Sequence, residues 1–268
     1  MRPGWPWRRL TWRDRVLPDV IIPGAQKCGT SSLFAWMDQH PEVHGSIPKE
    51  VHYFDGGGPS TRDRWPRGEP WYRAHFPTRN RVGAGIAIEA TPRYMLHPAA
   101  PARIASSLPN VRLIVLLRNP VERAISHYFH QRKRGREPLA LLEALEAEAS
   151  RLDPGGDESD PLSHEGWIHA SYVLRGMYAE QIERLYASID PERILVLESD
   201  RMFAEPGPTL QSVFEFSGVR PDVMPRDLSP RMVGRRSDVD PEARAFLERV
   251  FEEPNRRLYE LLGEDYGW

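Results

Sequence analysis

Short apolar runs alternate along the chain with segments whose apolar residues recur at helical spacing. Four runs have the length of buried strands: 19–23, 85–89, 111–117 and 193–197. Helical segments lie at 31–38, 98–108, 139–152, 171–188, 209–218 and 241–262, and another helix begins at Pro120. Strands that alternate with helices predict an α/β fold, a three-layer sandwich with a mainly parallel central sheet.

The domain organisation follows from length and local composition. With 268 residues, the chain is long enough to bury a large core, and we expect a single domain over 1–268. Residues 153–166 are acidic, small and turn-forming, which predicts an exposed loop. The arm at 1–18 mixes tryptophan with arginine, but Pro3 and Pro6 weaken any amphipathic helix. We therefore expect the arm to pack on the domain and not to contact a membrane.

Charge and cysteine content exclude several classes of protein. The net charge of −2 and the pI near 6.5 argue against a dedicated nucleic-acid binder, so we expect no nucleic-acid partner. The single cysteine, Cys28, excludes an internal disulfide framework and a cysteine-rich zinc site. The apolar runs are far shorter than the ~18 residues of a membrane span. An enzyme-sized protein of the cytoplasm is the expectation.

The first motif with chemical content is PGAQKCGTSS at 23–32, between the first strand and the first helix. A glycine-containing turn that leads into a helix directs backbone N–H groups and the positive end of the helix dipole at one point, which suits a phosphate. Lys27 adds a cation, and Thr30 and Ser31 add hydroxyl groups. The lysine precedes the second glycine by two positions, so the motif does not fit the nucleoside-triphosphate loop. An ordinary strand-to-helix turn is the alternative.

The second motif, LRNPVERAIS at 117–126, follows the strongest predicted strand. A magnesium-dependent kinase would place an aspartate at such a strand end, whereas this strand ends in Arg118, whose guanidinium suits a second phosphate. Ser126 lies two helical turns further on and can donate to the same group. Alternatively, Arg118 caps the sheet edge and Ser126 faces a neighbouring helix.

The third motif is PKEVHYFD at 48–55. In an extended chain Glu50 and His52 share one face, and either can serve as a general base, although such residues in a loop are usually solvated. Only three lysines accompany 33 arginines, and two of them, Lys27 and Lys49, lie in these motifs. A lysine in so arginine-biased a chain suggests a need for a compact ammonium group.

These segments together resemble sulfotransferases that use 3′-phosphoadenosine 5′-phosphosulfate (PAPS), closest to the heparan sulfate type and its bacterial relatives. The resemblance spans nearly the whole chain in the family's order, through GAQKCGTSSL, HPEVHGSIPKEVHYFD, EATPRY, RLIVLLRNPVERAISHY, SYVLRGMYAEQIERL and EEPNRRLYELLGEDYGW. It implies that a sulfuryl group passes from PAPS to an acceptor hydroxyl, or less readily to an amine, without a metal.

The resemblance also assigns roles to residues. The loop that grips the 5′-phosphosulfate corresponds to Lys27, Cys28, Gly29, Thr30 and Ser31. The pair that holds the 3′-phosphate corresponds to Arg118 and Ser126, and a late cofactor loop brings Arg231 and Arg235. The catalytic group comprises Glu50 as the base, His52 as its helper and Lys27 at the leaving phosphate, whereas Asp55 lies on the acceptor side.

Two departures from the family bear on the acceptor. The glycosaminoglycan branch often has lysine before Thr-Pro, where this chain has Ala90 with Arg93 nearby, and the family's paired late cysteines are missing. Residues 56–80 bring Trp71 and other aromatic side chains among arginines, a combination that can bind sugar faces or acidic groups. We expect a small, neutral or weakly acidic hydroxylated acceptor, such as a glycoside, glycolipid or natural product, ahead of heparan-like chains.

Two alternative functions stay open at this point. One is a P-loop kinase that phosphorylates a small molecule with ATP and magnesium. The displaced lysine and the missing aspartate count against it. The other is a nucleotide-binding or scaffold protein without catalysis, which the joint presence of Lys27, Glu50 and Arg118 disfavours.

Overall fold

A five-stranded parallel sheet forms the centre of the fold. The computed structural model of the chain describes residues 5–56, 63–152, 165–231 and 239–268. The strands are β1 (Val20–Gly24), β2 (Val43–Gly45), β3 (Ile86–Ala90), β4 (Arg112–Leu117) and β5 (Ile194–Glu198). They lie in the order β2-β3-β1-β4-β5, and each neighbouring pair is parallel. The predicted α/β fold with a parallel sheet is confirmed.

Helices connect the strands and flank the sheet. Over the described residues they are α1 (Trp5–Leu10), α2 (Thr30–Met37), α3 (Gly68–Arg73), α4 (Arg79–Val82), α5 (Ala100–Ser107), α6 (Pro120–Lys133), α7 (Leu141–Glu146), α8 (Glu148–Leu152), α9 (Glu165–His169), α10 (Tyr178–Tyr186), α11 (Ser199–Ala204), α12 (Pro206–Ser217) and α13 (Pro241–Leu262). The path from β1 to β2 runs one way across the sheet, and the path from β3 to β5 runs the other way. Right-handed crossovers in opposite directions place helices on both faces, which gives the three predicted layers.

The order of the strands also locates a crevice. Connections leave β1 and β4, which are neighbours, in opposite directions, and ligands of such sheets bind beyond the carboxyl ends of the strands at this switch point. The residues of β1 are buried throughout, and those of β4 after its first residue. The loops that follow these two strands therefore extend from a fixed base.

Two details differ from the sequence prediction. Strand β2 was not predicted, because it has only three residues and lies at the sheet edge inside a turn-rich stretch. The predicted helix at 139–152 is two helices, α7 and α8, which meet at Ala147. The buried carboxylate of Glu148 accepts hydrogen bonds from the amides of Val173 and Leu174, which ties the start of α8 to that segment.

The amino-terminal arm is held by arginine side chains. Arg8 donates to the carbonyl oxygens of Ala74 and Phe76, and Arg15 donates to the same Phe76 oxygen. Trp7 and Leu10 stay exposed to solvent. Of the predicted loop at 153–166, residues 153–164 lie outside the described residues. None of the helices in the described ranges is long and apolar enough to cross a membrane.

Candidate active site

The loop between β1 and α2 turns sharply at Gly29. This residue has φ of 87°, and a Cβ atom at this position would come within 2.9 Å of Met202 and 3.0 Å of Phe203. Glycine tolerates both the left-handed backbone and the close approach. The turn therefore requires glycine for two independent reasons.

Open backbone amides face the start of α2. The first amides to donate back into the helix belong to Ser32 and Leu33, and both donate to the carbonyl of Gly29. The N–H groups of Gly29, Thr30 and Ser31 precede these bonds, so they are the unpaired donors that a helix leaves at its amino terminus. Together with the positive end of the helix dipole they form an anion site.

Lys27 lies in this loop with an unusual backbone. Among the described residues, Lys27 with φ of 71° and His52 with φ of 56° are the non-glycine residues in the left-handed region. Such a conformation costs on the order of 1–3 kcal/mol and is concentrated at functional sites. Both residues were predicted from the sequence as catalytic, and they follow different strands.

Positive charge is concentrated around Lys27. Burial lowers the pKa of the Lys27 ammonium, and the neighbouring guanidinium groups of Arg118, Arg134 and Arg123 lower it further. Cations that lower one another's pKa in this way are stabilised most by a ligand with several negative charges. Arg134 directly follows α6 as its C-cap residue. Nothing in the sequence distinguishes it from the other arginines of that segment.

Arg118 follows β4 directly, where its backbone is anchored. The Tyr178 hydroxyl donates to the Arg118 carbonyl at 3.0 Å, and Arg118 Nε lies 4.0 Å from Asp200 Oδ1. The Nε atom is buried without a hydrogen bond within the described part of the chain, so its donor can serve a phosphate oxygen. Ser126 lies two turns along α6 and is half-buried. Arg118 and Ser126 are the residues that the resemblance assigns to the 3′-phosphate, and this assignment stays a prediction.

The third motif forms a chain of ion pairs. His52 Nε2 lies 3.3 Å from Glu50 Oε2, and His52 Nδ1 lies 2.7 Å from Asp55 Oδ2. Arg93 holds Asp55 from the other side, with Nε donating to Oδ2 at 2.8 Å and Nη2 donating to the carbonyl oxygen at 2.8 Å. Asp55 is 2% exposed. Asp55 and Arg93 are thus bound to each other and orient His52, while their contact with the acceptor stays a prediction.

These contacts fix the charges of the two candidate bases. Burial lowers the pKa of His52, but the Asp55 carboxylate and the hydrogen bonds to Asp55 and Glu50 outweigh it and raise the pKa to about 9. Burial raises the pKa of Glu50, but His52 and the Lys49 ammonium outweigh it and bring the pKa to about 2. At neutral pH, His52 is a cation and Glu50 an anion. Of this pair, Glu50 is the group that carries no proton at neutral pH.

Lys49 is the member of this site that the sequence motifs did not assign. Its Nζ atom donates to Ser31 Oγ at 3.2 Å and to Glu50 Oε1 at 3.0 Å, so it joins the loop after β1 to the base. The rarity of lysine in this chain was the available signal. Spacing alone gives no reason to pair position 49 with position 31.

A buried carboxylate lies beneath residues 50–55, the candidate catalytic segment. Glu89, in β3, is fully buried, and its oxygens accept hydrogen bonds from the hydroxyls of Tyr72, Thr91 and Tyr94. Burial raises the pKa of Glu89, and these donors oppose the rise. The sequence prediction passed over Glu89 because a glutamate within an apolar strand gives no indication of its partners.

The same hydroxyls hold the backbone of the catalytic segment. Thr91 Oγ1 accepts from the amides of Val51 at 3.1 Å and His52 at 3.4 Å, and the Tyr94 hydroxyl accepts from the amide of Tyr53 at 2.9 Å. Three successive N–H groups thus rest on hydroxyls that donate in turn to Glu89. This arrangement maintains the left-handed backbone of His52.

Trp71 is buried among aromatic side chains. Its ring is 5% exposed and packs against Tyr53 and His75, while Tyr72 and Phe76 are buried with it. The aromatic residues of this stretch support the catalytic segment from below. That Trp71 contacts the acceptor stays a prediction, and the burial of its ring counts against it.

Cys28 also faces inward. Its side chain is fully buried, its sulfur lies 3.6 Å from the Tyr178 hydroxyl, and its amide donates to Ala25 within the turn. Burial raises the pKa of the thiol to about 11. The Cys28 side chain therefore packs as a spacer in the loop, and its place among the cofactor-binding residues stays a prediction.

The late loop reaches the donor side through its backbone. The amide of Arg231 donates to Ser32 Oγ at 2.8 Å, whereas its guanidinium pairs with Asp227 at 2.7 Å. Arg235 lies outside the described residues. In the described ranges, no three His, Cys, Asp or Glu side chains are grouped as a metal site would require.

The fold and site define an α/β enzyme of the P-loop-like class, with an anion loop after β1 and cations after β4. A model of the sulfotransferase domain matches residues 17–229. The chain belongs to the sulfotransferase domain family.

Relatives agree with the predicted resemblance. The chain is 29% identical over its full length to 79% of the human "Heparan sulfate glucosamine 3-O-sulfotransferase 6". It is 26% identical to the mouse "Bifunctional heparan sulfate N-deacetylase/N-sulfotransferase 1" over 96% of this chain, but spans only 30% of that protein. A solved sulfotransferase from Alicyclobacillus acidocaldarius superposes with a TM-score of 0.77 at 28% identity, covering 93% of this chain and 97% of the other.

Proposed function

We propose that the chain transfers a sulfuryl group from PAPS to a hydroxyl group of a small acceptor. The observation that carries the proposal is the crevice between β1 and β4. Positive groups meet there in numbers that suit two phosphate groups: the amides at the start of α2, Lys27 and Arg118. Lys49 connects this region to Glu50, because its ammonium bonds to both Ser31 and Glu50. A donor with a 5′-phosphosulfate and a 3′-phosphate has one negative group for the positive groups after β1 and one for those after β4.

The chain's own residues divide the work in three. The amides of the first turn of α2 and Lys27 bind the phosphosulfate and stabilise the charge that develops on the bridging oxygen as the phosphate leaves. Arg118 and Ser126 hold the 3′-phosphate and so orient the donor. Glu50 accepts the proton of the acceptor hydroxyl as its oxygen forms the new bond to sulfur. Asp55 and Arg93 keep His52 in place beside Glu50.

A magnesium-dependent kinase is a poorer fit to the same site. The strands on either side of β1 would have to offer a carboxylate for the metal. Strand β4 leads into Arg118, and Glu89 of β3 is bound by three hydroxyls. We therefore place ATP and magnesium behind PAPS.

Titration calorimetry with adenosine 3′,5′-bisphosphate, the product nucleotide, tests the donor. We expect micromolar binding, at least tenfold tighter than that of AMP, because Arg118 and Ser126 recognise the 3′-phosphate. Equal affinity for the two nucleotides would refute the assignment. Transfer from sulfur-labelled PAPS and from γ-labelled ATP to one acceptor panel separates sulfotransferase, kinase and inactive nucleotide binder.

For the acceptor, we propose a small, neutral or weakly acidic hydroxylated molecule such as a glycoside, glycolipid or natural product. Position 90, where the resemblance expects lysine in enzymes for sulfated polymers, is a buried alanine, and Arg93 is bound to Asp55. Ala90 carries no charge and the Arg93 guanidinium is already paired, so neither position offers a cation to a polyanionic chain. Faster sulfation of desulfated heparin oligosaccharides than of every neutral glycoside and phenol in competition would refute this choice.

A further inference from the structure

Lys49 lies between the loop after β1, here called the donor loop, and the proposed base Glu50. Its side chain is 20% exposed, and its ammonium contacts Ser31 Oγ on one side and Glu50 Oε1 on the other. The backbone at Lys49 is anchored, since its carbonyl oxygen accepts from the Ser46 hydroxyl at 3.0 Å and from the Ala90 amide at 3.3 Å. The flexible part is therefore the four-carbon side chain.

Both oxygens of Glu50 are held by cations in the free protein. Lys49 takes Oε1 and the protonated His52 takes Oε2. Each contact occupies one lone pair of its oxygen, and two cations this close lower the proton affinity of the carboxylate. Glu50 therefore becomes a stronger base when one of the two cations withdraws.

The two cations differ in how firmly they are held. His52 is tied to Asp55, which is buried and bound to Arg93, so its ring has no freedom to move away. Lys49 has as its other partner a neutral hydroxyl at the start of α2, beside the open amides of the anion site. A negative ligand at those amides attracts Lys49 and leaves His52 where it is.

We propose that Lys49 is a positioning residue that couples donor binding to the release of the Glu50 carboxylate. This inference rests on the proposed function, because the ligand at the amides is the phosphosulfate of PAPS. The donor draws the Lys49 ammonium from Glu50 Oε1 towards the 5′ group. Glu50 thereby loses one of its two cation contacts and gains basicity when the donor is in place. Because coupling between two sites is reciprocal, the Glu50 charge must in turn weaken the hold of Lys49 on the donor.

A double-mutant cycle on nucleotide affinity measures this coupling. Adenosine 3′,5′-bisphosphate is titrated into the full chain and into its K49M, E50Q and K49M/E50Q variants. With Lys49 present, E50Q removes the competing carboxylate, and we expect binding to tighten about twofold to fivefold, the scale of a partly exposed ion pair. In the K49M background, E50Q is expected to change affinity by less than twofold. The K133M variant, which removes the third lysine, is the matched control and should behave as the unmodified chain.

Each outcome of the cycle leads to a different conclusion. If E50Q has the same effect with and without Lys49, or none in either, Lys49 does not couple the sites. If K49R keeps the E50Q effect while K49M abolishes it, a cation at position 49 is the coupling element, as proposed. If none of the folded proteins binds the bisphosphate, the proposed function itself fails and the coupling with it. Circular dichroism of all variants identifies any that fail to fold, and affinity ratios are taken from the folded ones.

Discussion

His52 Nε2 lies 3.3 Å from Glu50 Oε2, while the opposite nitrogen of the ring lies 2.7 Å from Asp55. An imidazole between two carboxylates keeps both of its protons, so it cannot accept a third. From the sequence, Glu50 and His52 were interchangeable as the base. We propose Glu50 as the base, because these contacts hold His52 between two carboxylates as a fixed positive charge.

The first prediction concerns the base. Glu50→Gln is expected to lower kcat by about 10²- to 10⁴-fold, the usual contribution of a general base, because the amide cannot take the acceptor proton. His52→Asn should lower kcat by less, since it removes a charge that orients Glu50 but no proton acceptor. Steady-state rates at saturating PAPS and acceptor measure both. An active Glu50→Gln variant beside a dead His52→Asn variant would reverse the assignment.

The parts of the site that the sequence predicted are those whose spacing is local. Lys27 and Ser31 share one loop, and Arg118 follows a strand that its apolar residues predict without ambiguity. Hydrophobic periodicity and the order of the elements were enough to predict the parallel sheet, and the ends of parallel strands bring these loops together.

The parts that the sequence did not predict depend on contacts across the fold. Trp71 looks like a sugar-binding residue until its ring is found buried against Tyr53. Lys49 gains its role from Ser31, 18 positions away, and Glu89 gains its role from hydroxyls on both sides of it in sequence. No periodicity encodes which polar group a buried side chain meets.

The second prediction concerns the 3′-phosphate. Arg118→Ala is expected to weaken the binding of adenosine 3′,5′-bisphosphate by about 2–4 kcal/mol, or ~30- to 1,000-fold, since it removes a partly buried charged partner of the phosphate. Arg112→Ala is the control, because Arg112 begins the same strand and lies at the opposite end of it from Arg118. Calorimetry at one ionic strength compares the two. An effect of Arg118→Ala no larger than that of Arg112→Ala would make Arg118 a structural residue.

The third prediction is a pH dependence of stability. The pKa of His52 is about 9 in the folded chain and near 6.5 when unfolded, so its protonation stabilises the fold fully below pH 6.5. That contribution is lost as the pH rises through 9. We expect the difference in unfolding free energy between the unmodified chain and His52→Gln to shrink by on the order of 2–3 kcal/mol between pH 6.5 and 9.5. Urea unfolding at several pH values measures it, and a constant difference would contradict the ion pairs of His52.

The last prediction separates support of the catalytic segment from general stability. The two oxygens of Glu89 have different partners, because Oε1 meets Thr91 and Tyr94, which carry the amides of 51–53, and Oε2 meets Tyr72. Glu89→Gln removes the negative charge that strengthens all three hydrogen bonds and replaces one accepting oxygen with an NH₂ group, at a cost of about 1–3 kcal/mol. Tyr72→Phe removes only the Oε2 contact and is the matched control. We expect both variants to lose stability in urea, but only Glu89→Gln to lower kcat, by about tenfold or more, with bisphosphate affinity unchanged within about threefold because the donor loop touches neither residue. If the two variants lower kcat equally at equal loss of stability, Glu89 stabilises the core and does not position His52.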